Sequence, residues 1–223
     1  MKNGRRKVPS LFRVFVSVLL LVLLASTASA QTALSIINPG FESDILAAGA
    51  ATTDVFAAGW TCAAVPSGGC GAFHPQAAQF GSVPEGVNVA YSNGGTISQV
   101  LAATLSSNTL YTLTVKVGKR LDLNFPGYVI QLMAGNTVLA QDNSTVSPAS
   151  GAFLSSTITY QSPVSGPLLG QNLKIVLLAN GIQGIFDAVS LSTSQATGCG
   201  TVPSKEYIRL GNRIVAVENP CTP

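Results

Sequence analysis

The side chains that could do chemistry in this chain of 223 residues are few: one histidine, four cysteines and nine carboxylates. His74 stands between Phe73 and Pro75 in a Gly- and Pro-rich stretch. A Ser-His-Asp triad would have to recruit it, yet no G-x-S-x-G elbow accompanies it, and the sequence reads it as an exposed loop histidine. The carboxylates are too scattered to nominate the acid–base pair that glycoside hydrolysis uses. Cys62, Cys70, Cys199 and Cys221 lack the C-x-x-C spacing of a zinc site, so the even count reads as disulfides. Three connectivities are possible, and the two local bridges, Cys62 to Cys70 and Cys199 to Cys221, are the expected ones. With no catalytic set apparent, the aromatic side chains become the main resource for binding. Phe125 and Tyr128 flank Pro126-Gly127 and are the expected stacking platform, with Trp60 as a further candidate and Arg120 and Asp122 placed to hydrogen-bond hydroxyls.

The amino terminus bears on where such chemistry would take place. Lys2, Arg5, Arg6, Lys7 and Arg13 precede an apolar run over 14–24 and then Ala28-Ser29-Ala30, the pattern of a secretory signal peptide cleaved before Gln31. Its five positive charges account for the basic balance of the chain, because removing them from a formal +3 leaves −2 for residues 31–223. No clustered Lys and Arg remain to neutralise phosphates, so nucleic acid is not an expected partner. No membrane span is expected after cleavage. The expected location is secreted, cell-surface or periplasmic, a compartment that permits disulfides.

The elements that must position these residues are strands. Apolar or alternating runs of four to eight residues recur between Gly, Pro, Asn and Ser, with no sustained helical period. Strands are expected over 34–37, 56–62, 87–91, 96–101, 110–117, 128–133, 137–141, 153–160, 173–178 and 185–192. In 111–117, Tyr111, Leu113, Val115 and Val117 alternate with Thr112, Thr114 and Lys116, giving one core face and one solvent face. The number and spacing of strands suit an all-β sandwich of two antiparallel sheets. Gln99, an amide inside an apolar strand, is expected to bridge strands.

Four segments in order carry a family resemblance. Asn38-Pro39-Gly40-Phe41-Glu42, the stretch from Pro84-Glu85-Gly86 to Thr96-Ile97-Ser98-Gln99, Tyr111-Thr112-Leu113 with Val117-Gly118-Lys119-Arg120, and Phe186-Asp187-Ala188-Val189-Ser190-Leu191 resemble galactose-binding-like jelly rolls, the fold of many bacterial and plant carbohydrate-binding modules. The resemblance implies a structural calcium ion held by Glu42 and Asp187, with Asp44 as a further ligand. The competing reading is that Glu42 and Asp187 cap turns or accept backbone N–H bonds. It divides the chain into a signal peptide at 1–30, a sandwich at 31–193, and a linker with a C-terminal β-hairpin at 194–223. That hairpin, two apolar runs joined by Gly211-Asn212, also resembles one unit of the tyrosine-aspartate (Rhs-type) repeats.

The functional expectation is a secreted, non-catalytic carbohydrate-binding sandwich whose partner is a polysaccharide or glycan. The alternative is a structural or adhesive surface protein that associates with other proteins and binds no sugar.

Overall fold

The computed structural model describes residues 31–66 and 68–195 and the strands at 206–210 and 213–218. The expected signal peptide, Cys199, Cys221 and the linker beyond 195 lie outside the described residues. Thirteen strands are present: β1 (Thr32–Leu34), β2 (Thr61–Ala63), β3 (Cys70–Phe73), β4 (Val89–Ser92), β5 (Thr96–Thr104), β6 (Thr109–Gly118), β7 (Tyr128–Ala134), β8 (Thr137–Asn143), β9 (Phe153–Gln161), β10 (Asn172–Ala179), β11 (Gly184–Gln195), β12 (Glu206–Leu210) and β13 (Arg213–Glu218).

β1 to β11 form two antiparallel sheets. The first runs β3-β4-β11-β6-β9 with β1 also on β11, and the second runs β2-β5-β10-β7-β8. β12 and β13 pair antiparallel with each other, as the Gly-Asn turn predicts. The strand expected over 56–62 shrinks to β2, because Phe56 and Trp60 leave the sheet to pack on Phe41. β3 was not expected from the sequence, since Cys70-Gly71-Ala72-Phe73 shows neither alternation nor β-branched residues.

Alternation sorts the core. Leu113, Val115 and Val117 of β6 join Ile130 and Leu132 of β7 and Leu173, Ile175 and Leu177 of β10 in one buried cluster between the sheets. Gln99 is buried within it and satisfied at both ends: its Oε1 accepts the Ile37 N–H and its Nε2 donates to the Ile37 carbonyl, each at 2.8 Å. The amide therefore pins the segment after β1 to β5. Cys62 and Cys70 form a disulfide that ties β2 in the second sheet to β3 in the first.

Candidate functional site

The first sheet has apolar residues on both faces. Along β3, β4, β6 and β11, Ala72, Ala90, Val117 and Phe186 enter the main core. The residues between them on three of these strands, Phe73, Val89, Tyr91 and Ile185, point the other way and form a second buried cluster with Phe80. Antiparallel sheets ordinarily leave such a face to water. Here the segment over 74–88 lies across it, with Phe80 and Val83 packed onto the cluster. Phe80 also stacks on Phe153 of β9, with ring centroids 4.7 Å apart.

Phe153 needs its cross-strand neighbour to be glycine. It pairs with Gly118 of β6, and a Cβ at that position would run into the Phe153 ring. Arg120, just beyond β6, completes the edge of the cluster. Its guanidinium lies over the Phe73 ring, 5.6 Å from the centroid, and donates to Gln183 and to both oxygens of Asp122.

Asp187 is the fully buried ionisable group on this face. β11 carries a bulge between Asp187 and Ser190, and Ala188 within it has a φ of 45°. The register before the bulge sets Asp187 opposite Lys116, hence on the outer face with Ile185. Its carboxyl is fully buried; Oδ2 accepts the Glu85 N–H at 3.1 Å and Oδ1 the Ala188 N–H at 2.7 Å. Burial drives its pKa up, the two amides pull it back, and the charges of Glu85 and Glu42 raise it again, to about 7. A substantial fraction of the carboxyl is thus still protonated near pH 7.

Two cavities flank the loop that covers Asp187. One, of about 270 Å³, is lined by His74, Phe80, Val83, Gly86 and Val87 among others. The other, of about 420 Å³, has Ser82, Val83, Pro84, Lys116 and Phe153 in its wall. Ser82 and Val83 belong to both. The structure corrects the reading of His74 as an exposed loop residue. The ring is half-buried, and its Nδ1 lies 2.8 Å from the Leu46 carbonyl oxygen.

The other sequence-derived candidates fall elsewhere. Trp60 is buried against Phe41 at 5.2 Å and donates its indole N–H to the Asn38 carbonyl, so it is core and not a platform. Tyr128 was expected at an exposed edge; it is fully buried, and its hydroxyl donates to Asp142 at 2.6 Å. Phe125 is half-buried, edge-on to Tyr128 and packed against the main core. Asp122 is exposed and engaged with Arg120. No sugar platform survives in this group, because the alternation of β7 turns Tyr128 inward with Ile130 and Leu132.

Glu42 and Asp187 meet at one corner, both on backbone amides. Glu42 accepts from Val87 with both oxygens at 3.1 Å and from Asn88 at 2.8 Å. Among the described residues, no three His, Cys, Asp or Glu side chains are grouped so as to hold a metal ion. Next to Glu42, however, the Oδ1 of Asn88 is buried without a hydrogen-bond partner. Sequence reasoning missed Phe80, Val83 and Phe153. The signal for the first two was apolar residues inside a Gly- and Pro-rich stretch that forms no strand.

Comparison with known proteins concerns the sandwich as a whole. Residues 32–192 match the family model described as HpiC1 cyclase, HpiC1-like. An apo-form cyclase from Fischerella sp. is 31% identical, with a TM-score of 0.68 over 74% of this chain and 98% of that one. The Stig cyclase FisC from Fischerella sp. TAU, solved with (3Z)-3-(1-methyl-2-pyrrolidinylidene)-3H-indole, is 30% identical with a TM-score of 0.68, covering 75% of this chain and 100% of that one. A cyclase from Fischerella sp. TAU, solved with 4-(1H-indol-3-yl)butan-2-one, is 32% identical with a TM-score of 0.67, covering 74% and 98%. No match was found among curated proteins.

These findings overturn the non-catalytic expectation. The matched proteins are cyclases, and the ligands in two of them are indole-derived small molecules and not glycans. The carbohydrate-binding reading and its polysaccharide partner are therefore withdrawn, and with them the adhesive alternative. The resemblance located the fold correctly, but a fold of this kind hosts many functions. The likeness of the C-terminal segment to a tyrosine-aspartate repeat finds no support, since the family match ends at 192.

Proposed function

We infer that this chain, which belongs to the HpiC1-like cyclase family, closes rings on a flat, electron-rich aromatic substrate of the indole class, at the loop-covered outer face of its first sheet. The observation that carries this reading is Asp187: a buried carboxyl, raised to about 7, on the same face as Phe73, Phe80, Tyr91 and Phe153. Ring closure of an unsaturated side chain onto an indole starts when a proton adds to the side chain and leaves a carbocation. A carboxylic acid that is still partly protonated near neutrality supplies that proton. Aromatic faces stabilise the cation, and their apolar surroundings keep water from capturing it. Asp187 lines neither cavity, and Glu85, within the 82–87 segment that lines both, is hydrogen-bonded to it, so displacement of this segment would admit the substrate to the acid. The indole-class ligands of the Fischerella cyclases support the choice of substrate.

The test is incubation of the protein with indoles that carry an alkenyl side chain. Cyclisation conserves composition, so the expected product has unchanged mass, a new ring and one double bond fewer. Binding of 4-(1H-indol-3-yl)butan-2-one without turnover of any alkenyl indole would limit the reading to ligand class. Neither binding nor turnover would overturn it.

Two further expectations are carried forward as part of this proposal. The calcium ion expected from the sequence on Glu42 and Asp187 is proposed here, at the Phe41–Asp44 corner, on Glu42 and the Oδ1 of Asn88, a buried oxygen acceptor without a partner, of the type a hard cation takes, since Asp187 is given the acid's role. Its contribution would be to fix that corner. Secretion follows from the leader read at 1–30.

A further inference from the structure

We propose that His74 is the proton acceptor that ends the cyclisation. The inference rests on the cyclase reading and adds a second catalytic residue to it. Adding a proton at Asp187 is half of a cyclisation. After the new carbon–carbon bond forms, the positive charge sits in the ring system, and aromaticity returns only when a ring carbon loses its proton. An isomerisation that takes up one proton must release one.

The structure prepares His74 for that step. A carbonyl oxygen can only accept, so the 2.8 Å contact between Nδ1 and the Leu46 oxygen requires the proton to be on Nδ1. This is the less common tautomer of a free imidazole, and it leaves the Nε2 lone pair available. Nε2 has no hydrogen-bond partner among the described residues, and His74 lines the 270 Å³ cavity beside Phe80 and Val87. Backbone bonds clamp the residue from both sides: its N–H donates to the Ala50 carbonyl, and its own carbonyl accepts the Gly49 N–H. The segment over 46–50 that holds it carries no ionisable side chain. No other ionisable side chain lines the cavity. Of the carboxylates near the covering loop, Glu42 lies against Gly86, and Glu85 of the loop lies against Gly40.

The step balances as follows. The ring C–H bond breaks, its electron pair restores the aromatic system, and the proton forms a bond to Nε2. His74 becomes imidazolium and Asp187 is left as carboxylate. Solvent then returns a proton from one to the other, and no other reactant is consumed.

The chain has one histidine, so nitrogen-15 NMR of the untagged protein observes His74 alone. The expected spectrum is that of the Nδ1–H tautomer, and addition of 4-(1H-indol-3-yl)butan-2-one shifts both ring nitrogens. With an alkenyl indole as substrate, His74→Gln slows turnover by about 100-fold or more. It leaves the affinity for the indole ketone within about threefold. An Nε2–H tautomer, ketone binding that leaves the histidine signals in place, or a His74→Gln variant that turns over the alkenyl indole at the parent's rate would overturn the proposal. If the ketone fails to bind and no alkenyl indole is turned over, the cyclase reading falls and this inference with it, an outcome distinct from binding without a histidine response. The spectra come from the unaltered protein, so they decide the matter even if His74→Gln does not fold.

Discussion

The backbone N–H of Glu85 donates to Oδ2 of Asp187 across 3.1 Å and 102 residues of sequence. The loop whose residues line both cavities is thereby hydrogen-bonded to that acid. Protonation of Asp187 weakens the acceptor and loosens the loop at the pH where the acid becomes a proton donor.

Replacement of Asp187 by Asn should abolish cyclisation of an alkenyl indole while the protein still binds the indole ketone. It should also change how stability depends on pH. The folded pKa of Asp187 lies above its unfolded value, so the folded state binds more protons between about pH 4 and 7. Stability therefore falls as pH rises through that window, by up to about 1.4 kcal/mol per unit, and levels off above it. In Asp187→Asn this component of the slope is absent. Denaturant titrations at half-unit pH intervals measure it, and an unchanged slope would show that Asp187 titrates normally.

Gly118→Ala should disturb the site without touching the main core. The added methyl group meets the Phe153 ring, which must leave Phe80 or push β9 outward. The expected cost is about 1–3 kcal/mol of stability, with weaker binding of the indole ketone measured by calorimetry. A second substitution, Phe153→Ala, should recover stability in the Gly118→Ala background but not binding.

Tyr128→Phe separates the core from the site. Burial pushes the Asp142 carboxyl up, but hydrogen bonds from Ser156, Tyr128 and Thr145 outweigh it and hold its pKa below the usual value. Removing the tyrosine hydroxyl should cost about 1–3 kcal/mol. Asp142 contributes its stability above its unfolded pKa and loses it as pH falls through the folded one, so the deficit of the variant should shrink in acid. Indole-ketone affinity should be unchanged, and a drop in it would return Tyr128 to the binding residues.

Chelation tests the calcium proposal. If Glu42 and Asn88 hold an ion, a chelator lowers Tm and calcium restores it, while in Asn88→Ala neither treatment moves Tm. A parent protein whose Tm is indifferent to chelator, and whose native mass spectrum shows no metal, would remove the ion from the proposal.

Alternation in segments such as 111–117 and 128–134 was enough to fix the all-β class, most strands and the inward set of Leu113, Val115, Ile130 and Leu132, because a strand's side-chain period is local and needs no knowledge of its neighbours. Gln99 was likewise legible as a bridge, since a buried amide must be paired. The near cysteines were legible too, eight residues apart around a flexible loop. The site was not. His74 gains its tautomer from Leu46, Asp187 its raised pKa from burial under Glu85, and Phe153 its position from a glycine on β6. These partners lie 28 to 102 residues away in the chain. Hydrogen bonding, desolvation and steric fit act through space over a few ångströms, so only the tertiary structure could decide which ordinary side chains would become a proton donor and a proton acceptor.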